Sequence, residues 1–217
     1  MSSKGKKPPL LAAEYFFYDF TKLTAALPGL LWFRPKVLYA SEAAKKKIKG
    51  GALLISNHTA VFDPIYLQIA VWYRRHRFVC LKEFFESRGG WFFKAFLCIP
   101  IDRENFNISS FREITEHLRR GELVSMFPEG HINEETEGVA AFKSGMVLMA
   151  MRSGVPIVPV YVRRWEGFPR RLTMAVGEAI DIAALCGGRP TMSRIDEISA
   201  LLHEKEDELR ELAEKRR

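Results

Sequence analysis

The 217-residue chain predicts an α/β fold: a mixed, largely parallel central sheet flanked by helices, with an N-terminal amphipathic helical segment. Three observations predict it. Short apolar runs of strand length alternate with stretches of helical period from residue 52 to residue 177. Glycines such as Gly121 and Gly154 stand where those helical stretches should stop. The length also suits a single core of ordinary size.

Taken in order, residues 1–9 read as a basic tail, and a helix is expected from about Leu10 to Ala26, ending near Pro28-Gly29. Large apolar residues crowd this region, among them Tyr15, Phe16, Phe17, Phe20, Leu30, Leu31 and Trp32, with lysines and Arg34 at its flanks. Such a segment suits a membrane interface, and it suits equally two short helices packed on the domain. The chain therefore divides into a tail and amphipathic segment, 1–34, and a folded domain, 35–217.

"KVLYA" (36–40) is a short edge strand and "ALLIS" (52–56) a buried one. Ile65, Ile69, Trp72 and Tyr73 share a helical face over 64–73, and Asp63-Pro64 reads as its N-cap followed by Pro at N1. "FVCL" (78–81) and "CIPI" (98–101) are strands, joined by helical pieces broken at Gly89-Gly90. A helix over 107–120 carries Phe111, Ile114 and Leu118 on one face, and "ELVSMF" (122–127) is the next strand. "FKSGMVLMAMRSG" is a helix, "VPIVPVYV" a buried strand, and "RLTMAVG" (171–177) completes the sheet. A last helix begins at Ser193 with Asp196 as a capping box and lays Ile195, Ile198, Leu202, Leu209 and Leu212 along one stripe.

Charge is unevenly placed. The first fifty residues hold ten Lys/Arg against three Asp/Glu, and the other 167 hold 23 of each sign. A basic start is either a solvated one or one drawn to an anionic surface. The balanced remainder, with no nucleic-acid motif, counts against nucleic acid as a partner. Three scattered cysteines make no disulfide framework and no metal spacing, so a reducing compartment and no metal are expected. No signal peptide is evident, and no run reaches the roughly 18 apolar residues of a spanning helix.

"NHTAVFD" places His58 and Asp63 five residues apart. An ideal helix would leave them about 140° apart and a strand on opposite faces, so only a turn unites them. An Asp on one ring nitrogen would fix the tautomer and leave the other to take a proton. With no GxSxG in the chain, the nucleophile would be a substrate hydroxyl or water. "MFPEGHI" (126–132) ends a strand on Pro128-Glu129-Gly130, where Glu129 is either a polyol-binding carboxylate or an exposed turn residue. "IPIDREN" (99–105) offers Arg103 either to phosphate or to its acidic neighbours. His76, His117 and His203 read as surface residues.

Taken together and in order, "NHTAVFD", "IPIDREN", "FPEG" and "VPIVPVYV" resemble the four motif blocks of the glycerolipid acyltransferases, the 1-acylglycerol-3-phosphate and glycerol-3-phosphate acyltransferase superfamily. "LKEFF" and "FKSG" are similar too, and the resemblance covers roughly residues 35–180. It implies that His58 is the general base and Asp63 its orienter. Arg103, Glu129, Gly130 and Lys143 would hold the acceptor, with Pro156 and its strand shaping the acyl side. It further implies an acyl-CoA or acyl carrier protein donor, a lysophospholipid acceptor, no cofactor, and a peripheral or monotopic place on the cytoplasmic face of the membrane. Peptide N–H groups near the helix start would stabilise the oxyanion. One departure stands out: "FPEG" continues with His131-Ile132-Asn133 where phosphate-binding members often have Thr-Arg-Ser. Glycerol-3-phosphate or a non-phosphate lysolipid as acceptor, and a hydrolase using the same dyad, are the alternatives.

Overall fold

A computed structural model describes residues 15–102, 108–133, 142–188 and 190–215. Helix α1 (Phe16–Phe33) leads into strands β1 (Lys36–Tyr39) and β2 (Ala52–Ser56), then α2 (Asp63–Ala70) and β3 (His76–Leu81). The short helices α3 (Lys82–Glu86) and α4 (Gly90–Ala95) precede β4 (Ile99–Ile101), α5 (Ile108–Arg119) and β5 (Leu123–Met126). Helix α6 (Gly145–Ser153), strands β6 (Ile157–Val162) and β7 (Thr173–Val176), and helices α7 (Ile182–Cys186) and α8 (Met192–Lys215) complete the described elements.

The seven strands form one sheet in the order β1-β7-β6-β2-β5-β3-β4, parallel throughout except for the β6–β7 pair. All five residues of β2 and all six of β6 are buried, as the interior strands of a sheet covered on both faces must be. Period two divides their side chains. Leu53, Ile55, Val124 and Ile157 pack under α5, α6 and α8, whereas Leu54, Leu123 and Val158 pack under α2 through Tyr66 and Leu67.

Helix α1 runs through Pro28 to Phe33 rather than stopping there, and the expected helical residues before 15 lie outside the described residues. An interior proline costs a helix about 3 kcal/mol. Contacts beyond it hold the last turn: Phe33 meets Tyr66 and Trp165 edge-on, its carbonyl accepts the Leu172 N–H at 2.8 Å, and Arg34 ends the helix in the left-handed region. At the other end Asp19 takes a two-point bond from Arg75, at 2.8 and 2.5 Å, and the Tyr18 hydroxyl accepts the His76 N–H while donating to Gln68. One face of α1 is therefore docked. The opposite face carries Phe16, Phe20, Leu23, Leu27, Leu30 and Leu31, all half or more exposed.

Several local readings are corrected. Helix α2 ends at Ala70 rather than residue 73, with Val71 at its carboxyl cap. The start of α8 is capped by the Thr191 hydroxyl, which accepts the Arg194 N–H at 3.3 Å, and not by a box at Ser193. His76 is fully buried, and His117 and His203 are half-buried against Glu122 and Asp207. The His76 ring bridges strand and helix: Nδ1 lies 2.8 Å from the Ser125 hydroxyl and Nε2 3.3 Å from the Val71 carbonyl.

Burial pushes the His76 pKa down to about 3, against an opposing pull from the Val71 carbonyl; Lys22 and Arg74 push it down further. The unfolded ring binds a proton near pH 6.5 and the folded ring does not, so stability is full above about pH 6.5 and falls as pH drops toward 3. The slope is about 1.4 kcal/mol per pH unit within that window. Urea unfolding of His76→Gln should therefore show a pH 7 to pH 5 loss about 2 kcal/mol smaller than that of the native chain; an unchanged loss would mean the ring protonates freely inside the fold.

Candidate active site

Strands β2 and β5 run side by side in parallel, Ile55 opposite Met126, so the residues leaving their carboxyl ends emerge together. His58 follows one strand and Phe127–Gly130 the other. This edge is where open α/β sheets form their sites.

The turn between His58 and Asp63 is built on one oxygen. Asp63 Oδ2 accepts the N–H of Thr59 at 2.6 Å and of Ala60 at 2.8 Å, and lies 2.9 Å from His58 Nδ1. The Thr59 hydroxyl adds a 3.4 Å contact to Oδ1. Asp63 thus does not cap α2: its carboxylate turns backward, and α2 begins with no side-chain cap, Pro64 setting the backbone of its first turn. The N–H groups of Thr59 and Ala60 are committed to Asp63 and so are not oxyanion donors. Asp63 has no exposed side-chain surface, whereas the His58 ring is 18% exposed. An acceptor at Nδ1 places the ring proton there and leaves a lone pair on Nε2. Phe127 stacks on the imidazole at 4.1 Å and 14°, which fixes the plane of the ring.

The "FPEG" turn grips the His58 peptide. The Glu129 carboxylate accepts the His58 N–H at 3.4 Å, and the His58 carbonyl accepts the Asn133 N–H at 2.7 Å. Glu129 is buried, not an exposed turn residue. Gly130 sits at φ +75°, where glycine is favoured, and a Cβ there would come within 3.0 Å of Lys143 Nζ. The Lys143 side chain therefore lies across Gly130, while its own backbone N–H donates to the Pro128 carbonyl at 3.2 Å. His58, Asp63, Glu129, Gly130 and Lys143 are thus brought together. Arg103 lies outside the described residues; Asp102, just before it, follows β4, which β3 separates from β5.

Pro156 is placed elsewhere. Its carbonyl accepts the Leu53 N–H at 3.0 Å, at the start of β2, whereas His58 follows the end of that strand. At about 3.3 Å per residue the two are roughly 17 Å apart along the sheet. Of that apolar block, the part beside the site is Val160–Val162.

Two contributors were not singled out from the sequence. Asn57 holds β2 to β6 with its amide, donating to the Val162 carbonyl at 2.9 Å and accepting the Val162 N–H at 2.8 Å. Glu206, from α8, accepts the Asn57 N–H. The signal for Glu206 was its phase: it stands four residues after Leu202 and three before Leu209, inside the buried stripe. Among the described residues, no three His, Cys, Asp or Glu side chains converge as a metal would require.

Comparison with known proteins places this geometry in a class. Residues 36–163, more than half of the chain, match the Acyltransferase family, and the chain belongs to that family. It is 30% identical over 110 residues to a 1-acyl-sn-glycerol-3-phosphate acyltransferase of Bacillus subtilis, covering 50% of this chain and 54% of that protein. A protein of the same description from Streptococcus pneumoniae is 31% identical over 112 residues, covering 50% of this chain and 40% of its own. The chain thus spans about half the length of the curated relatives it matches. The crystal structure of the 1-acyl-sn-glycerophosphate acyltransferase PlsC from Thermotoga maritima superposes with a TM-score of 0.65 over 98% of this chain and 85% of that one. At 19% identity that likeness speaks for the fold.

Proposed function

We propose that the chain transfers a fatty acyl group from a thioester, acyl-CoA or acyl carrier protein, to the hydroxyl of a lysophospholipid, with 1-acylglycerol-3-phosphate as the favoured acceptor. The observation that carries this reading is the His58–Asp63 pair, a sealed acid bonded to a reachable imidazole, in a chain of the Acyltransferase family. The names of the relatives support the choice of acceptor.

In the reaction His58 Nε2 takes the acceptor's hydroxyl proton as that oxygen attacks the thioester carbonyl. The tetrahedral adduct collapses, the C–S bond breaks, and the departing sulfur receives the proton from the imidazolium. An ester and a free thiol result. Asp63 keeps the ring in one tautomer and lies close to the charge that forms on it; general-base help of this kind is worth about 10²–10⁴-fold. Glu129 and Gly130 face the acceptor, and Lys143 and Arg103 supply positive charge for its phosphate. Ile132 stands where relatives of this type often carry an arginine, so Lys143, lying over Gly130, takes the larger share of that charge.

The reaction takes place at a lipid surface, reached through the exposed stripe of α1. Trp32 stacks on Phe168 at 5.6 Å, and Phe17 meets Trp91 edge-on at 5.8 Å, which extends the apolar face to both ends of the helix. Arg34 and Arg171 lie at one end of it, bonded to the backbone of residues 169 and 34. Aromatic rings beside cations suit an interface with anionic headgroups. No helix among the described residues is long and apolar enough to cross a membrane.

With labelled acyl-CoA, product lipid should form only when lysophosphatidate is supplied, and His58→Ala should lose at least about 10²-fold in rate while remaining folded. Acyl release indifferent to acceptor would instead favour a hydrolase, and an active, folded His58→Ala protein would overturn the base assignment. In flotation with vesicles containing anionic phospholipid, the native chain should rise with lipid, and the combined Phe20→Asp, Leu23→Asp and Leu27→Asp variant should stay behind. Equal flotation of both would refute the role of the α1 stripe.

A further inference from the structure

Helix α8 enters the site through one carboxyl. Glu206 is fully buried; its Oε1 accepts the Asn57 N–H, and its Oε2 meets no hydrogen-bond partner among the described residues. The next peptide along, that of His58, donates its N–H to Glu129. Two buried acids, one from the end of β5 and one 149 residues beyond Asn57, therefore hold successive N–H groups of the segment that carries the imidazole. The Asn57 side chain is meanwhile spent on Val162, so Glu206 is the group that fixes its peptide plane.

We propose that Glu206 is a positioning residue for acyl transfer, setting the Asn57–His58 segment so that the imidazole meets the acceptor hydroxyl in register. The proposal rests on the reading of His58 as the base. Burial raises the Glu206 pKa well above the carboxylate range, Glu129 and Asp207 push it the same way, and only the Asn57 N–H opposes them. The phenol of Tyr161, itself buried, is a further titratable group within its field. Charged or neutral, Glu206 accepts the Asn57 N–H at Oε1, so the contact itself does not depend on its proton.

Three variants test this, with palmitoyl-CoA and lysophosphatidate as substrates and thermal unfolding measured on each. Glu206→Gln keeps an acceptor and is neutral, and should stay within about threefold of the native kcat. Glu206→Leu fills the space but leaves the Asn57 N–H without an acceptor, and kcat should fall about 10- to 100-fold with KM for either substrate within about threefold. Glu206→Asp, one methylene short of Asn57, should fall about tenfold and serves if the leucine variant does not fold. A folded Leu or Asp variant with native kcat, a loss that appears in KM alone, or a Gln variant as impaired as the Leu one would each overturn the proposal. Failure of the underlying reading is separately visible, since a native chain without acceptor-dependent transfer, or an active His58→Ala variant, would fail before Glu206 is considered.

Discussion

The hydrogen bond from His58 Nδ1 to Asp63 Oδ2 is the constraint on which the rest of the site turns. A carboxylate with no exposed surface is costly to bury, by several kcal/mol, unless donors replace its water. Here the peptide N–H groups of Thr59 and Ala60 and the imidazole converge on a single oxygen. The same three contacts that make burial tolerable also close the turn and orient the ring. Geometry and solvation are solved by one set of bonds, so little freedom is left for the imidazole to leave its position.

That turn is useful only because of what the sheet sets around it. Parallel register between β2 and β5 delivers the Phe127–Gly130 turn to the imidazole, where Phe127 holds the ring face and Glu129 the backbone. On the other side β6 meets β2, and Asn57 ties the two together after the regular pairing has ended. Helix α8 then closes the back of the loop. Segments far apart in sequence thus share one backbone stretch of two peptides, which explains why the carboxyl-terminal helix belongs to the site as much as the motif does.

The sheet strands were legible in the sequence because buried parallel strands are unbroken apolar runs, as "ALLIS" and "VPIVPVYV" are. The pairing of His58 with Asp63 was legible from the resemblance of the four ordered motif blocks to the glycerolipid acyltransferases; geometry alone said only that a turn would be needed, since neither helix nor strand unites residues five apart. That Asp63 does not also cap α2 was not legible, since Asp before Pro has the same local signature in either role. Pro28 misled for a related reason, since tertiary contacts of Phe33 outweigh a local helix cost. His76 was read as exposed because nothing local announces that a strand will bury it against Ser125. Pro156 was assigned to the acyl side from its motif, and strand direction puts it beside the start of β2, away from His58. Glu206 was passed over because a charged residue in an apolar stripe looks like an interruption until its partner 149 residues away is known.

Nitrogen-15 NMR of histidine-labelled protein addresses the central claim most directly, because it reads the two ring nitrogens of His58 separately. In the neutral ring Nδ1 should be protonated and strongly hydrogen-bonded and Nε2 unprotonated, with the Nδ1 bond lost in Asp63→Ala. The opposite tautomer, with the proton on Nε2, would leave no base facing the acceptor and would contradict the account.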